Sequence, residues 1–256
     1  MELLDARYFF FDDNYIGKAT SHIARMALTD SLRLFCDNTN FLNSSWYEQL
    51  AVVGKSLIIL GFTVKQMILS AICAYGCPLV SVGLEPAHSL QDPAPITCYQ
   101  LDFPVLMPPN NNQEPAAQLF VPVSRRCRYI DGVLVRWNLK AKSVLIAPIQ
   151  ITLATGHVAS DVLFMESHWS SMVAHLTDWK IHARFVRIKE SHRVPYELTG
   201  VAAKEYRNTR GPGAKQLHPP YNVITLTVRQ VNSRIDDKLR AARGSPAMAA
   251  RLYRYT

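Results

Sequence analysis

What the chain lacks narrows its chemistry. Leu57 to Val64 is strongly apolar, but Lys55 and Lys65 bracket it, and a helix across a bilayer needs about 20 apolar residues. No membrane span is expected. Cys36, Cys73, Cys77, Cys98 and Cys127 are odd in number, and no second pair accompanies Cys73-x3-Cys77. They read as buried thiols of a reducing compartment, not as a paired-cysteine zinc site. Gly54-Lys55-Ser56 invites a phosphate-loop reading, but the glycine required five positions earlier is Gln49. The start, Met-Glu-Leu-Leu-Asp, has no basic segment ahead of an apolar run, so no signal peptide is expected. Low-complexity tracts and internal repeats are missing as well. With 48% apolar residues, the chain is expected to pack a core.

What is present is unevenly charged. The net charge is +8 over 256 residues. Residues 1–175 carry 12 Lys and Arg against 14 Asp and Glu, whereas residues 176–256 carry 16 against 6. The basic surplus therefore lies in the last third, a distribution that favours a polyanionic partner.

Along the chain, Leu3 to Phe11 reads as a buried strand or docking arm. Helices are expected from about His22 to Phe35 and from Trp46 to Val53, each preceded by a Ser or Thr cap. Phe62 to Tyr75 has the wide apolar face of a core helix and ends near Gly76 and Pro78. From Pro78 to Ala117 proline is frequent, and long loops with one or two short strands are expected, around Ile96 to Leu101 and Val105 to Met107. Strands follow from Leu119, from Tyr129 to Trp137, and from Val144 to Leu153. Next come a helix from Ser160 or Asp161 to Leu176 and a strand from Lys180 to Lys189 with one basic face. A loop from Lys204 to Pro220 leads into a strand from Val223 to Arg229, and the tail beyond Asn232 is helix-prone.

The chemistry concentrates in two of these strands, joined by a turn around Asn138 to Ser143. Asp131 stands in the first and Gln150 and Thr152 in the second. A carboxylate in an apolar strand is costly unless it is paired or holds a cation. Metal-dependent nucleases of the restriction-endonuclease type place one Asp on a strand and an acid-x-Lys triplet on its neighbour. Two acids then bind magnesium while the third residue orients the attacking water. If Gln150 takes the Lys position, the acid position falls on Pro148, which cannot ligate. If Gln150 takes the acid position, Thr152 takes the Lys position. Alternatively, Asp131 caps a turn with Gly132 and Gln150 satisfies nearby backbone.

His157, in a turn after the second strand, can meet a phosphate or a water. His168, His175 and His182 recur at intervals of seven, and the first two can share a helical face. Lys180, Arg184, Arg187 and Lys189, interleaved with aromatic residues, are candidate phosphate contacts, extended by Lys204 and Arg207. Arg125, Arg126 and Arg128, just before the Asp131 strand, can guide a nucleic-acid backbone towards it. Such contacts give salt-sensitive affinity without sequence preference.

Several segments together resemble a known family. They are Leu4-Asp-Ala-Arg-Tyr-Phe-Phe-Phe-Asp12, Gly61 to Ile72, Leu119-Phe-Val-Pro122, Ile130-Asp-Gly-Val-Leu134, and Ile149-Gln-Ile-Thr-Leu-Ala154 with His157. Over roughly residues 1–160 the chain resembles the C-terminal portion of Crinkler-type effectors and the related retrotransposon-hot-spot proteins. Those proteins join an NTPase module to a restriction-endonuclease-like domain of the PD-(D/E)xK superfamily. The resemblance implies an α/β fold, with a central mixed sheet flanked by helices. Residues 1–53 would be a helical segment left from the linker to an absent NTPase module, and residues 54–256 the endonuclease-like domain.

It also implies a virulence effector that acts on DNA, or on a host nuclear protein, after delivery to the host nucleus, with Mg2+ as cofactor and no membrane or small-molecule partner. Asp131 then matches the strand acid and metal ligand, Gln150 the second-strand residue and His157 the histidine that follows. Lys65 stands where such domains place a glutamate, and a desolvated cation there would repel magnesium. Three readings stay open: metal-dependent DNA phosphodiester hydrolysis, a catalytically degenerate nuclease fold that binds DNA or a host protein, and a purely structural interaction protein whose basic surface meets an acidic partner.

Overall fold

Ten consecutive residues from Ser143 to Thr152 are buried, as befits a strand covered on both faces, and the sheet is organised around them. A computed structural model describes residues 9–11, 17–19, 57–77, 96–101, 105–108, 117–122, 129–153, 160–190, 202–206 and 218–243. The chain divides into two compact units, residues 1–70 with 237–256 and residues 71–236.

In the first unit, β1 (Phe9–Phe11) pairs antiparallel with β2 (Gly17–Ala19). Helix α1 (Leu57–Tyr75) begins there and runs on past residue 70. It starts five residues earlier than its apolar spacing predicts. Leu60, Val64, Met67, Ile68, Ala71 and Ile72 are buried, and so are Thr63, Gln66 and Ser70. Gly76 closes the helix with φ 78°, and its N–H bonds the Ile72 carbonyl at 2.9 Å, a left-handed cap that favours glycine. Among the described residues, no helix is long and apolar enough to cross a membrane. The helices expected over 22–35 and 46–53 lie outside the described residues.

The second unit is an α/β layer structure built on a mixed seven-stranded sheet. Its strands are β3 (Thr97–Leu101), β4 (Ala117–Pro122), β5 (Gly132–Asn138), β6 (Ser143–Thr152), β7 (Lys180–Lys189), β8 (Ala202–Tyr206) and β9 (Tyr221–Thr227), in the order β3-β4-β5-β6-β7-β9-β8. β4, β5 and β6 form an antiparallel meander. Helices α2 (Ser160–Ser167) and α3 (Trp169–Met172) then carry the chain across to β7, which runs parallel to β6. β9 is parallel to β7, and β8 pairs antiparallel at the edge.

The β5–β6 turn forms where the polar break is. The Ala141 N–H bonds Asn138 Oδ1 at 3.0 Å, and Lys142 adopts φ 47°. Side-chain alternation puts Val133, Val135, Trp137, Val144, Ile146, Phe185 and Val223 on one sheet face. There they pack against Phe164, Met165, Trp169 and Met172 of the crossover helices. The opposite face carries Leu134, Leu145, Ile149, Ile151, Val186, Ile188, Ile224 and Leu226, all buried.

Four further elements differ from the sequence expectation. The helix over 160–176 breaks at His168, whose ring lies 5.9 Å from those of both Tyr129 and Phe164. Val105 to Met107 forms no strand; the Leu106 N–H instead bonds the Met172 carbonyl at 2.9 Å. The region from Lys204, expected as loop, opens within β8, whose pairing is supplied by β9. β9 stops at Thr227, because Thr227 and Gln230 form a reciprocal capping box that starts helix α4 (Val228–Val231). Helix α5 (Ser233–Arg243) follows.

Candidate functional site

Asp131 sits in the bend just before β5. Its N–H donates to the Ile149 carbonyl at 2.7 Å, and its Oδ2 accepts the Ile151 N–H at 2.7 Å. The carboxylate thus reaches across to strand β6, one residue beyond Gln150. The ladder itself ends at Gly132 and Ile149, and Asp131 meets β6 through the main chain of Ile149 and Ile151, the residues on either side of Gln150. One carboxylate oxygen is thereby bonded to main chain next to Gln150.

The other half of the expected metal site is not built from acids. Pro148 faces Val133 in the β5 ladder, while the β6–β7 register skips Ala147 and Pro148, as a residue without an N–H disrupts a ladder. Gln150 is 7% exposed, and its Oε1 accepts a short hydrogen bond from Ser160 Oγ. Among the described residues, no group of three His, Cys, Asp or Glu side chains converges.

Sequence reasoning missed Ser160 and Asp161 as site residues and read them only as the start of a helix. Asp161 is 1% exposed; it is ion-paired with Arg187 Nη2 through Oδ1 and accepts the Tyr221 hydroxyl at Oδ2, 3.3 Å away. A buried carboxylate needs such partners. The signal for them was Arg187 itself, a cation set between Phe185, Val186 and Ile188. Its partner is 26 residues away in sequence, so only the fold identifies it.

The β7 basic residues do not share one face. Strand alternation puts Lys180, His182 and Arg184 on one side and Arg187 and Lys189 on the other, because 184 and 187 are three apart. Arg184 is 5% exposed, and burial lowers its pKa below the ordinary arginine value. This takes Arg184 out of the expected phosphate-contact stripe, and Arg187 is engaged by Asp161. Lys180 is exposed and Lys189 half-buried. Lys204 lies on β8. Lys65 is half-buried on α1. His157, Arg125, Arg126, Arg128 and Arg207 lie outside the described residues.

Register lines the remaining polar residues up in rows. On the helix-covered face, Gln150 pairs with Arg187 and Arg187 with Thr225, while Thr152 pairs with Lys189 and Lys189 with Thr227. Both rows lie at the carboxyl ends of three parallel strands, the end at which open α/β sheets commonly bind ligands. No family model, no curated protein and no solved structure matches the chain.

Proposed function

We propose that the chain is a nucleic-acid-binding module on a restriction-endonuclease-like scaffold that has lost metal-dependent hydrolysis. The observation that carries this reading is the fate of the Asp131–Gln150 pair. Asp131 is bonded to the Ile151 amide, Gln150 is held by Ser160, and Pro148 offers no ligand atom. Cleavage of a phosphodiester by this class of domain needs two carboxylates on a common ion, and strand β6 supplies none.

The scaffold part of the proposal is supported by the order of elements. An antiparallel meander carries Asp131 in the bend ahead of its second strand and Gln150 on its third, and a helical crossover leads to a parallel strand. The binding part is supported by the basic surplus in residues 176–256. The resemblance to Crinkler-type effectors supports a role in a host nucleus, with DNA or a nuclear protein as partner.

A second reading, an active magnesium-dependent DNA endonuclease, is favoured by one observation: the Asp131 carboxylate bonds the β6 main chain at Ile151, the residue after Gln150. Incubation with plasmid DNA, with and without magnesium or manganese, separates the two. The degenerate module leaves plasmid intact under both conditions. It binds oligonucleotides with an affinity that falls at least about tenfold between about 50 mM and 200 mM salt, through counterion release. Metal-dependent cleavage that disappears in Asp131→Ala would establish the second reading instead. Binding that ignores salt would remove nucleic acid from both.

A further inference from the structure

We propose that Gln150, Thr152, Arg187 and Lys189 form a binding site for a phosphate group at the carboxyl ends of β6 and β7. The two rows they occupy are adjacent on one sheet face, and neighbouring strands lie about 4.8 Å apart, so the four residues share one small patch of that face.

The donors there exceed what the fold consumes. Gln150 and Thr152 are 7% and 9% exposed. Gln150 spends its amide oxygen on Ser160, and its amide nitrogen has no partner among the described residues. The Thr152 hydroxyl has none either. Arg187 gives Nη2 to Asp161, but its buried Nε has no hydrogen-bond partner among the described residues. Lys189 makes no ion pair among them. A buried donor left without an acceptor is costly and rare, and Arg187 Nε is one, on the same sheet face as Gln150, Thr152 and Lys189.

The acid on this face does not cancel the set. Both oxygens of Asp161 are taken, one by Arg187 and one by Tyr221, so it fixes the guanidinium and leaves one net positive charge from Lys189. Glu190, the next residue, lies past the end of β7 and is engaged in an interaction of its own. A donor-rich, acceptor-poor cluster with a planar fork and an ammonium suits a tetrahedral oxyanion.

The phosphate belongs either to a nucleic-acid backbone, in which case the site deepens the proposed function, or to a small phosphorylated molecule. Two titrations of the full-length protein distinguish these sources. Inorganic phosphate is titrated by 31P NMR and thermal shift, and a labelled single-stranded oligonucleotide by anisotropy. Both use the parent, Lys189→Gln and the near-isosteric Thr152→Val, with circular dichroism confirming that each variant is folded.

Saturable phosphate binding is expected in the parent. Loss of a charged donor should weaken it about tenfold in Lys189→Gln, and loss of a neutral one about threefold in Thr152→Val. If oligonucleotide binding weakens in parallel, the site takes backbone phosphate; if only phosphate binding weakens, it takes a small phosphorylated ligand. No saturable binding in the parent, or variants that titrate like it, would overturn the site. So would an effect confined to Lys189→Gln, which diffuse charge alone explains. Oligonucleotide binding that survives such a result leaves the proposed function standing without this site.

Discussion

The two ends of one sheet face obey different rules. Near the start of the parallel strands, Val144, Ile146, Ala183, Phe185 and Val223 meet Phe164 and Trp169 in an unbroken apolar layer. Two rows further along, Gln150, Arg187 and Thr225, then Thr152, Lys189 and Thr227, take over the same face. The first end is held by area removed from water. The second is held by specific partners, because each buried polar group must be satisfied. A fold that needed only stability would extend the apolar layer, so the polar end is where function is to be sought.

Substitutions can break this contrast, the largest effects coming first. Phe164 is fully buried in the apolar layer, and Phe164→Ala is expected to cost about 3–5 kcal/mol through lost burial and an unfilled cavity, read from urea midpoints. At the polar end, Asp161→Ala removes little apolar area but strands Arg187 and the Tyr221 hydroxyl. A loss of about 3 kcal/mol is expected. Arg187→Met added to that variant should recover much of it, whereas no second polar-to-apolar change should rescue Phe164→Ala. Equal behaviour of the two ends in these cycles would erase the distinction.

Cys77 sharpens the same comparison, as an ionisable group buried with no charge to meet it. Burial pushes its thiol up from 9.0 to about 12. A folded-state pKa raised above the unfolded one means stability is intact below pH 9 and falls as pH climbs from 9 towards 12. Thermal midpoints of the parent should therefore drop steeply in that window, and those of Cys77→Ala less so. Native Cys77 should also resist alkylation at neutral pH, being held as the thiol.

The smallest effect concerns the turn that sets the β5–β6 register, and so decides which β6 residues reach the polar end. Lys142 has φ 47°, which costs a non-glycine residue about 1–2 kcal/mol. Its ion pair to Asp178 spans 3.9 Å between exposed side chains and contributes little. Lys142→Gly should raise stability by about 0.5 kcal/mol, the gain being reduced by unfolded-state entropy. A loss on denaturant titration would show the ion pair to matter more than the strain.

Periodicity made β5, β6 and β7 legible, because runs of β-branched residues bounded by polar turns leave few alternatives. The break at His168 and the end of β9 were harder. The first depends on rings that close around the histidine only in the packed molecule. The second was written in Thr227-x-x-Gln230, a capping signature masked by the valine-rich strand before it. The approach of the Asp131 segment to β6 was recognisable, since a hairpin ties its register to the turn. The expected basic face of β7 failed on arithmetic: an alternation interrupted at Phe185 and Val186 sends Arg184 and Arg187 to opposite sides.

By itself the sequence determined an α/β core, a central strand buried on both faces, and the pairing of that strand with its neighbour through one turn, because these follow from local pattern and short-range geometry. Only the tertiary structure decided which polar groups satisfy one another. Ser160 on Gln150, and Asp161 between Arg187 and Tyr221, are partners 10, 26 and 60 residues apart. A buried charge or amide is settled by whichever donor or acceptor the folded chain brings within hydrogen-bonding reach, and no local pattern encodes that choice.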